Sequence, residues 1–289
     1  MKRISLSEYT ALCTQSDVSP NYSPQFVEYY FTKLNRKPVI KGKYDSTGRL
    51  IAAFPVLFLS VFPNSIHKRL LGEAFRGLGD IGQPEILIPV LPSESRITLH
   101  CFAPTASPLL LGRVQQLAQY SLKSVAIARS RRHKKLTHRV EAFFENGGKA
   151  YFTDSLDRNT YADLYIRLHA QRWGLSEYTL RHTRDQITNL YDNVFGLILF
   201  DKTEPVAAQL CFTYTGTTFH YVDFINSGVK ISHDNQLSYG SVMMLLNLRK
   251  AEEAARLRNR KLRYSFGFYY GQTDYKAVWA EPENTFIGL

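Results

Sequence analysis

The sequence predicts an α/β protein made of two tandem halves joined by a basic helix, and three observations carry that expectation. Residues 160–266 run in the order helix, helix, three strands, helix, strand, judged from apolar periods near 3.6 and runs of strand length. The hairpin pattern of residues 40–56 (strand, Asp45, turn, then Leu50-Ile51-Ala52-Ala53) returns over 197–210 as strand, Asp201, turn, then Pro205-Val206-Ala207-Ala208, which points to tandem duplication. Between the two lie Arg129, Arg131, Arg132, Lys134, Lys135 and Arg139, all within eleven residues.

Taken in order, Ser23 and Pro24 open a helix over 24–34, with Phe26, Tyr29, Tyr30 and Leu34 on one face. Strands are expected over 39–45 and 50–59 around Ser46-Thr47-Gly48, and another over 85–90. Leu110, Leu111, Val114, Leu117 and Ala118 share a helical face, predicting a helix over 108–122. The basic helix follows over 124–146 and stops at Gly147-Gly148. In the second half, helices are expected over 160–173, ended by Gly174, and over 180–191. Strands follow over 194–200, 206–214 and 218–225, with turns at 201–205 and at Thr215-Gly216. A long helix covers 239–257, and its C-terminal end carries the cations of 256–261, where the helix dipole favours them. A last strand covers 261–266. The expected division is 1–123 for a degenerate first half, 124–150 for the connecting helix and 151–289 for the second half.

Composition narrows the class. Apolar residues make up 44% and charged residues 21% of the 289, the balance of a folded globular chain. The formal charge of +11 favours anionic partners. Cys13, Cys101 and Cys211 are far apart and no Cys/His ligand spacing occurs, so neither a disulfide framework nor a metal site is expected. Met1 to Thr10 lacks an apolar signal core, and the stretch 50–62 is shorter than the ~20 residues a spanning helix needs. The expectation is a cytoplasmic protein, at most peripherally bound to a membrane.

The element order of the second half resembles the GNAT acyltransferase core. In that fold a ligand pyrophosphate rests on the N-terminus of the central helix, a ready anion site. The matching segment here is Leu237-Ser238-Tyr239-Gly240-Ser241. The resemblance makes Ser238, Gly240 and Ser241 candidate cofactor contacts, although Ser238 and Gly240 suit helix capping equally well. The Gly-rich turn usual for acetyl-CoA is absent. No single cofactor is named, and an acyl-CoA or an aminoacyl donor fits the resemblance.

The closing segment Arg263-Tyr264-Ser265-Phe266-Gly267, followed by Tyr275-Lys276 and Trp279, carries a second signal. A strand running into a loop presents Ser265, Tyr275 and Lys276 at the edge of a cleft, where a Tyr or Lys donates protons or holds an anion. The plainer reading makes Phe266 and Trp279 core, and Arg263 and Lys276 surface charges. Asp223 and Asn226 stand at a strand end beside the central helix, and Asp223 is a candidate general base if burial raises its pKa, or else a turn residue. The expected cleft is lined by Asp223, Asn226, Ser241, Ser265, Tyr275 and Lys276. Residues 262–267 with the later Tyr-Lys and Trp also resemble the C-terminal signature of the Mig-14 family, bacterial proteins tied to antimicrobial-peptide resistance. Gln171-Arg172-Trp173-Gly174 resembles that family's Arg-Trp-Gly helix end. Residues 222–229, 237–247 and 80–89 resemble further segments in the same order. The resemblance implies a transferase scaffold similar to BioF-like and Fem-type enzymes. It implies Asp223, Tyr275 and Lys276 as catalytic candidates, and Arg172, Trp173, Asn226, Ser265 and Trp279 as substrate contacts. The loop 268–274 departs from the pattern, lacking the basic residue usual after the Gly.

The cluster Arg129, Arg131, Arg132, Lys134, Lys135 and Arg139 admits three readings: a solvated helix between halves, a contact for anionic lipid or a lipid-linked substrate, or a nucleic-acid contact. Val125, Leu136, Val140 and Phe143 supply part of the apolar stripe a membrane-surface helix needs. No helix-turn-helix or zinc spacing supports nucleic acid. Two functions therefore stand: a transferase acting in envelope defence, and a non-catalytic regulatory protein binding through 129–139.

Overall fold

The computed structural model describes residues 1–58, 60–63, 65–81, 87–92, 114–119, 131–230, 238–268 and 275–286. In chain order the elements are β1 (Lys2–Ile4), α1 (Leu6–Cys13), α2 (Pro24–Lys33), β2 (Ile40–Tyr44), β3 (Leu50–Leu57), β4 (Ser60–Val61), α3 (Ser65–Leu71) and α4 (Glu73–Arg76). Then come β5 (Val114–Gln119), α5 (Arg131–Glu145), β6 (Lys149–Phe152), α6 (Arg158–Trp173), α7 (Glu177–Asn189), β7 (Val194–Asp201), β8 (Glu204–Thr215), β9 (Phe219–Val229), α8 (Tyr239–Leu257), β10 (Lys261–Phe268) and β11 (Glu281–Phe286).

Local chemistry sets most of these boundaries. Ser5 and Glu8 form a reciprocal capping box on α1. Asp157 accepts from the Asn159 and Thr160 amides to open α6, and Gly174 closes that helix in the left-handed region at φ 59°. Ser176 caps α7 through the Thr179 amide. At the first hairpin, Asp45 Oδ1 accepts from the amides of Thr47 and Arg49.

The strands form two sheets, β1-β2-β3-β4 and β11-β5-β10-β9-β8-β7-β6. In the larger sheet β6 to β9 are antiparallel, while β9 and β10 pair in parallel with α8 as the crossover between them. The fold is GNAT-like α/β. One apolar core joins the first half to the larger sheet: Phe26, Tyr30, Phe31 and Phe62 pack with Tyr161, Tyr165, Leu210 and Phe212. Phe26 meets Phe212 edge-to-face at 4.8 Å. The other face of the sheet packs on α8 and α5 through Leu197, Val222, Val242, Leu248, Val140 and Phe143. Polar ties reinforce the junction, because Asp17 Oδ1 accepts from the amides of Thr218 and Phe219 at the start of β9.

One expectation fails here. Residues 114–119 are a strand, not part of a helix over 108–122, and they pair antiparallel with both β10 and β11. Two flanking ladders outweigh the helical period of so short a run. The rest of that expectation lies outside the described residues. Residues 85 and 86 of the expected strand over 85–90 also lie outside them, and the described part makes a single bridge, Val90 to Ala52. The helix over 124–146 is described from Arg131 onward and ends beside Gly147, at φ 84°.

Gly228 fixes how α6 sits on β9, since a Cβ there would stand 2.4 Å from the Leu168 carbonyl carbon and 2.5 Å from the His169 nitrogen. Backbone cannot yield as a flexible side chain does, so Gly228→Ala should cost about 1–3 kcal/mol. Urea unfolding of the variant measures this, and an unchanged midpoint would contradict the packing of α6 on β9.

Candidate functional site

The parallel pairing of β9 and β10 runs from Lys261–Phe219 to Ser265–Asp223 and ends there. Beyond that point β9 continues along β8 as far as Val229–Ala207, whereas β10 follows β5 to Phe268–Leu117. The two strands thus part at Asp223 and Ser265 and leave a split in the middle of the sheet. The N-terminal turn of α8 lies beside it.

On the α8 side a cavity of about 640 Å³ opens, within the range of ligand pockets. Leu136, Phe224, Val229, Met243, Met244 and Val278 form apolar wall, and Ser238, Gly240 and Ser241 line the helix-start side. Lys135, Arg139 and Arg172 also line it, with no carboxylate among the described lining residues. Three cations and the positive end of α8 therefore give the cavity a positive field. Ser238 makes no side-chain cap bond to the helix, and its Oγ lies 3.0 Å from Ser241 Oγ. Trp173 is 54% exposed, donates from Nε1 to the Ser227 carbonyl at 3.0 Å, and carries the Arg172 guanidinium over its ring at 5.6 Å.

Of the candidates from sequence, the cavity gathers Arg172, Trp173, Ser238, Gly240, Ser241, Tyr275, Trp279, Lys135 and Arg139. Tyr275 is 56% exposed, whereas Trp279 is a buried member of the second core. Lys276 is half-buried, and its carbonyl accepts from the amides of Trp279 and Ala280. Ser265 is buried at the split, where its Oγ accepts from the Gly267 amide at 3.3 Å.

Asp223 and Asn226 face the other way. A β-bulge opposite Leu210 and Cys211 inserts Ile225 into β9, so Ile225 packs in the first-half core while Phe224, Ser227 and Val229 line the cavity. Asp223 is buried and accepts from Asn21 Nδ2 at 3.3 Å, and Asn21 Oδ1 accepts from the Tyr30 hydroxyl at 2.6 Å. Asn226 donates to Asp80 at 3.3 Å. The expected single cleft is thus two surfaces meeting at the split. Sequence alternation alone does not reveal the bulge, and nothing in it singled out Asn21, Asp80, Phe224 or Met243.

The basic segment is divided as well. Arg129 lies outside the described residues, and Arg131 and Arg132 open α5. Lys134 is exposed, Lys135 and Arg139 turn to the cavity, and His138 pairs with Glu141 at 3.0 Å. Of the stripe considered for a membrane surface, Leu136, Val140 and Phe143 pack instead in the second core, and Val125 lies outside the described residues. Among the described residues no helix is long and apolar enough to cross a membrane, and no group of three His, Cys, Asp or Glu stands ready for a metal.

The split sheet and its crossover helix define a GNAT-like α/β fold, with the positive cavity beside the split. The chain belongs to the Mig-14 family, whose model matches residues 23–287. Among solved structures it is similar in fold to FemX, at 10% identity and TM-score 0.56, covering 99% of this chain and 96% of that one. It is more distantly similar to a tandem GNAT protein from the clavulanic acid biosynthesis pathway (12% identity, TM-score 0.45, 98% and 93% covered). L-PGS from Bacillus licheniformis is likewise distant (10% identity, TM-score 0.40, 61% of this chain), and the chain spans 59% of its length. No curated protein matches by sequence.

A second cavity of about 400 Å³ lies at the opposite end of the sheet, beside His220 and Lys250. Burial first, then the nearby Arg258 charge, pushes His220 down to about 4. The unfolded chain protonates this histidine near the ordinary value of about 6.5, and the native state resists it. Its contribution to stability is therefore complete above about pH 6.5 and is lost as pH falls toward about 4. Between about pH 7 and pH 5 His220→Gln should lose about 2 kcal/mol less than the parent. Urea unfolding at the two pH values measures it, and identical losses would contradict the buried neutral ring.

Proposed function

We propose that this protein is a GNAT-type transferase that takes an anionic acyl-CoA or aminoacyl donor into the cavity over the split. It passes the acyl group to a component of the bacterial envelope, as part of resistance to cationic antimicrobial peptides. The observation that carries the reading is a cavity of about 640 Å³ lined by Lys135, Arg139 and Arg172, with no acid among the described lining residues, at the N-terminal turn of α8 and beside parted parallel strands. Membership of the Mig-14 family supports the setting. We place the protein on the cytoplasmic side, peripheral to the inner membrane.

The residues present fit such a donor. Lys135 and Arg139 meet phosphate charge together with the first turn of α8. Phe224, Met243 and Val278 take the apolar arm and exclude water. Arg172, stacked on Trp173, closes the rim. The donor, when bound, supplies an activated acyl group. The exposed Tyr275 phenol is placed to give a proton to a leaving group, and Asp223 stands across the split on the acceptor side.

Trp173 and Trp279 are the two tryptophans of the chain, and both line the cavity, so intrinsic fluorescence reports its occupancy. Coenzyme A, acyl-CoA or an aminoacyl donor should change the emission saturably, with affinity falling as salt rises. Replacing both Lys135 and Arg139 by Ala should weaken binding at least about tenfold, or about 1.4 kcal/mol. No response to either donor class, or undiminished binding by the double variant, would remove the transferase reading.

A further inference from the structure

The second core holds a polar group that its apolar surroundings do not require. Gln209 and Cys211 from β8, Asn247 from α8 and Tyr264 from β10 meet there, each 0% exposed. The Tyr264 hydroxyl oxygen accepts from Gln209 Nε2 at 2.9 Å and from Asn247 Nδ2 at 3.0 Å. Both lone pairs of that oxygen are then taken, so its proton goes to Cys211 Sγ, 3.3 Å away. Burial pushes the Cys211 thiol up to about 12, and the whole group is uncharged.

Its place in the sheet gives it a task. β9 lies between β10 and β8, so the Tyr264 side chain crosses β9 to reach Gln209 and Cys211. Tyr264 pairs with Val222, one residue before the parallel ladder ends at Asp223 and Ser265. Where the backbone pairing gives out, one hydroxyl therefore ties β10 to β8 and to α8. Two contacts carry this tie to the cavity wall. Gln209 Nε2 lies 3.7 Å from Met244 Sδ, and the Tyr264 ring packs at 4.8 Å on Phe266, which meets Phe224 at 6.1 Å. Met244 and Phe224 both line the cavity.

The group costs stability. Gln209 Oε1 and Asn247 Oδ1 are buried with no hydrogen-bond partner, and apolar side chains of similar shape would fill the place without that cost. What the polar group adds is register. The rest of this face of α8 is apolar, with Val242, Met243, Leu245, Leu248 and Ala251 in the second core. Such contacts are non-directional and would let the helix settle at more than one position along the sheet. Hydrogen bonds are directional, and a buried polar residue in an apolar seam selects one alignment.

We propose that Tyr264, held by Gln209 and Asn247, is a positioning residue that sets where the first turn of α8 stands over the split. The clamp stands on its hydrogen bonds alone, and its service to donor binding rests on the transferase reading above.

The test is a variant with the group made apolar, Gln209→Met, Asn247→Leu and Tyr264→Phe together. Its urea unfolding midpoint should equal or exceed the parent's. Coenzyme A binding, followed by tryptophan emission, should weaken at least about tenfold. The methionines of the chain are Met1, Met243 and Met244, so carbon-labelled methyl groups give a ligand-free readout by nuclear magnetic resonance, assigned through Met243→Leu. In the parent Met243 and Met244 should each give one sharp signal, and in the triple variant these should broaden or split as α8 takes several positions. If the triple variant does not fold, Tyr264→Phe alone is read by its methyl signals. Sharp single signals in the folded variant, or undiminished coenzyme A binding, would overturn the clamp. A loss of binding that only follows a lower midpoint would assign the group to stability and overturn it as well. Broadened or split signals, together with a parent that binds no coenzyme A, would keep the clamp and count against the transferase reading alone.

Discussion

Parallel strands joined through a crossover helix hold together only while their register lasts, and between β9 and β10 it lasts from Lys261 to Ser265. Each strand then follows a different neighbour, β8 on one side and β5 on the other. That parting leaves the first turn of α8 beside an opening in the sheet, where Lys135 and Arg139 from α5 and Arg172 from α6 add their charge. Were the pairing to continue past Asp223 and Ser265, a closed ladder would replace the opening and the two faces of the sheet would not meet.

The described residues of the first half support this arrangement by packing, and none of them lines the cavity. Its aromatic residues share one core with α6 and the outer face of the larger sheet, and Asn21 reaches across to Asp223 at the end of the paired region. Asp17 anchors the start of β9 in the same way. β5, which precedes the basic helix, lies between β10 and β11 and so holds β10 on the far side of the split. The geometry of the second half therefore depends on contacts made by the first, and loosening the junction should be felt at the split before the cavity walls themselves change.

Much of the second half was legible from sequence because its signals are local. Gly174, the apolar face of 239–257 and the alternation in 261–266 each declare an element without outside help. The candidates Ser238, Gly240, Ser241, Trp173 and Trp279 meet in one cavity because they sit at ends of such elements. What escaped is non-local. The bulge at Ile225 turns Asn226 away from the cavity, and it exists only in the pairing of β9 with β8. The 114–119 strand is fixed by partners more than a hundred residues later. β11 carries Pro282 and two glutamates, which an edge strand tolerates but which hide it from a hydrophobic pattern. By contrast α1 could have been found, since Ser5 and Glu8 spell its capping box.

The central claim is that an anionic donor binds beside the split, at the start of α8. Hydrogen exchange with and without coenzyme A tests it most directly, because occupancy of the cavity must slow exchange where its walls are. The account predicts protection concentrated in residues 238–244, 224–229 and 275–279, with the cavity beside His220 unaffected. Protection confined to that second cavity, or no protection at a concentration that changes tryptophan emission, would contradict it.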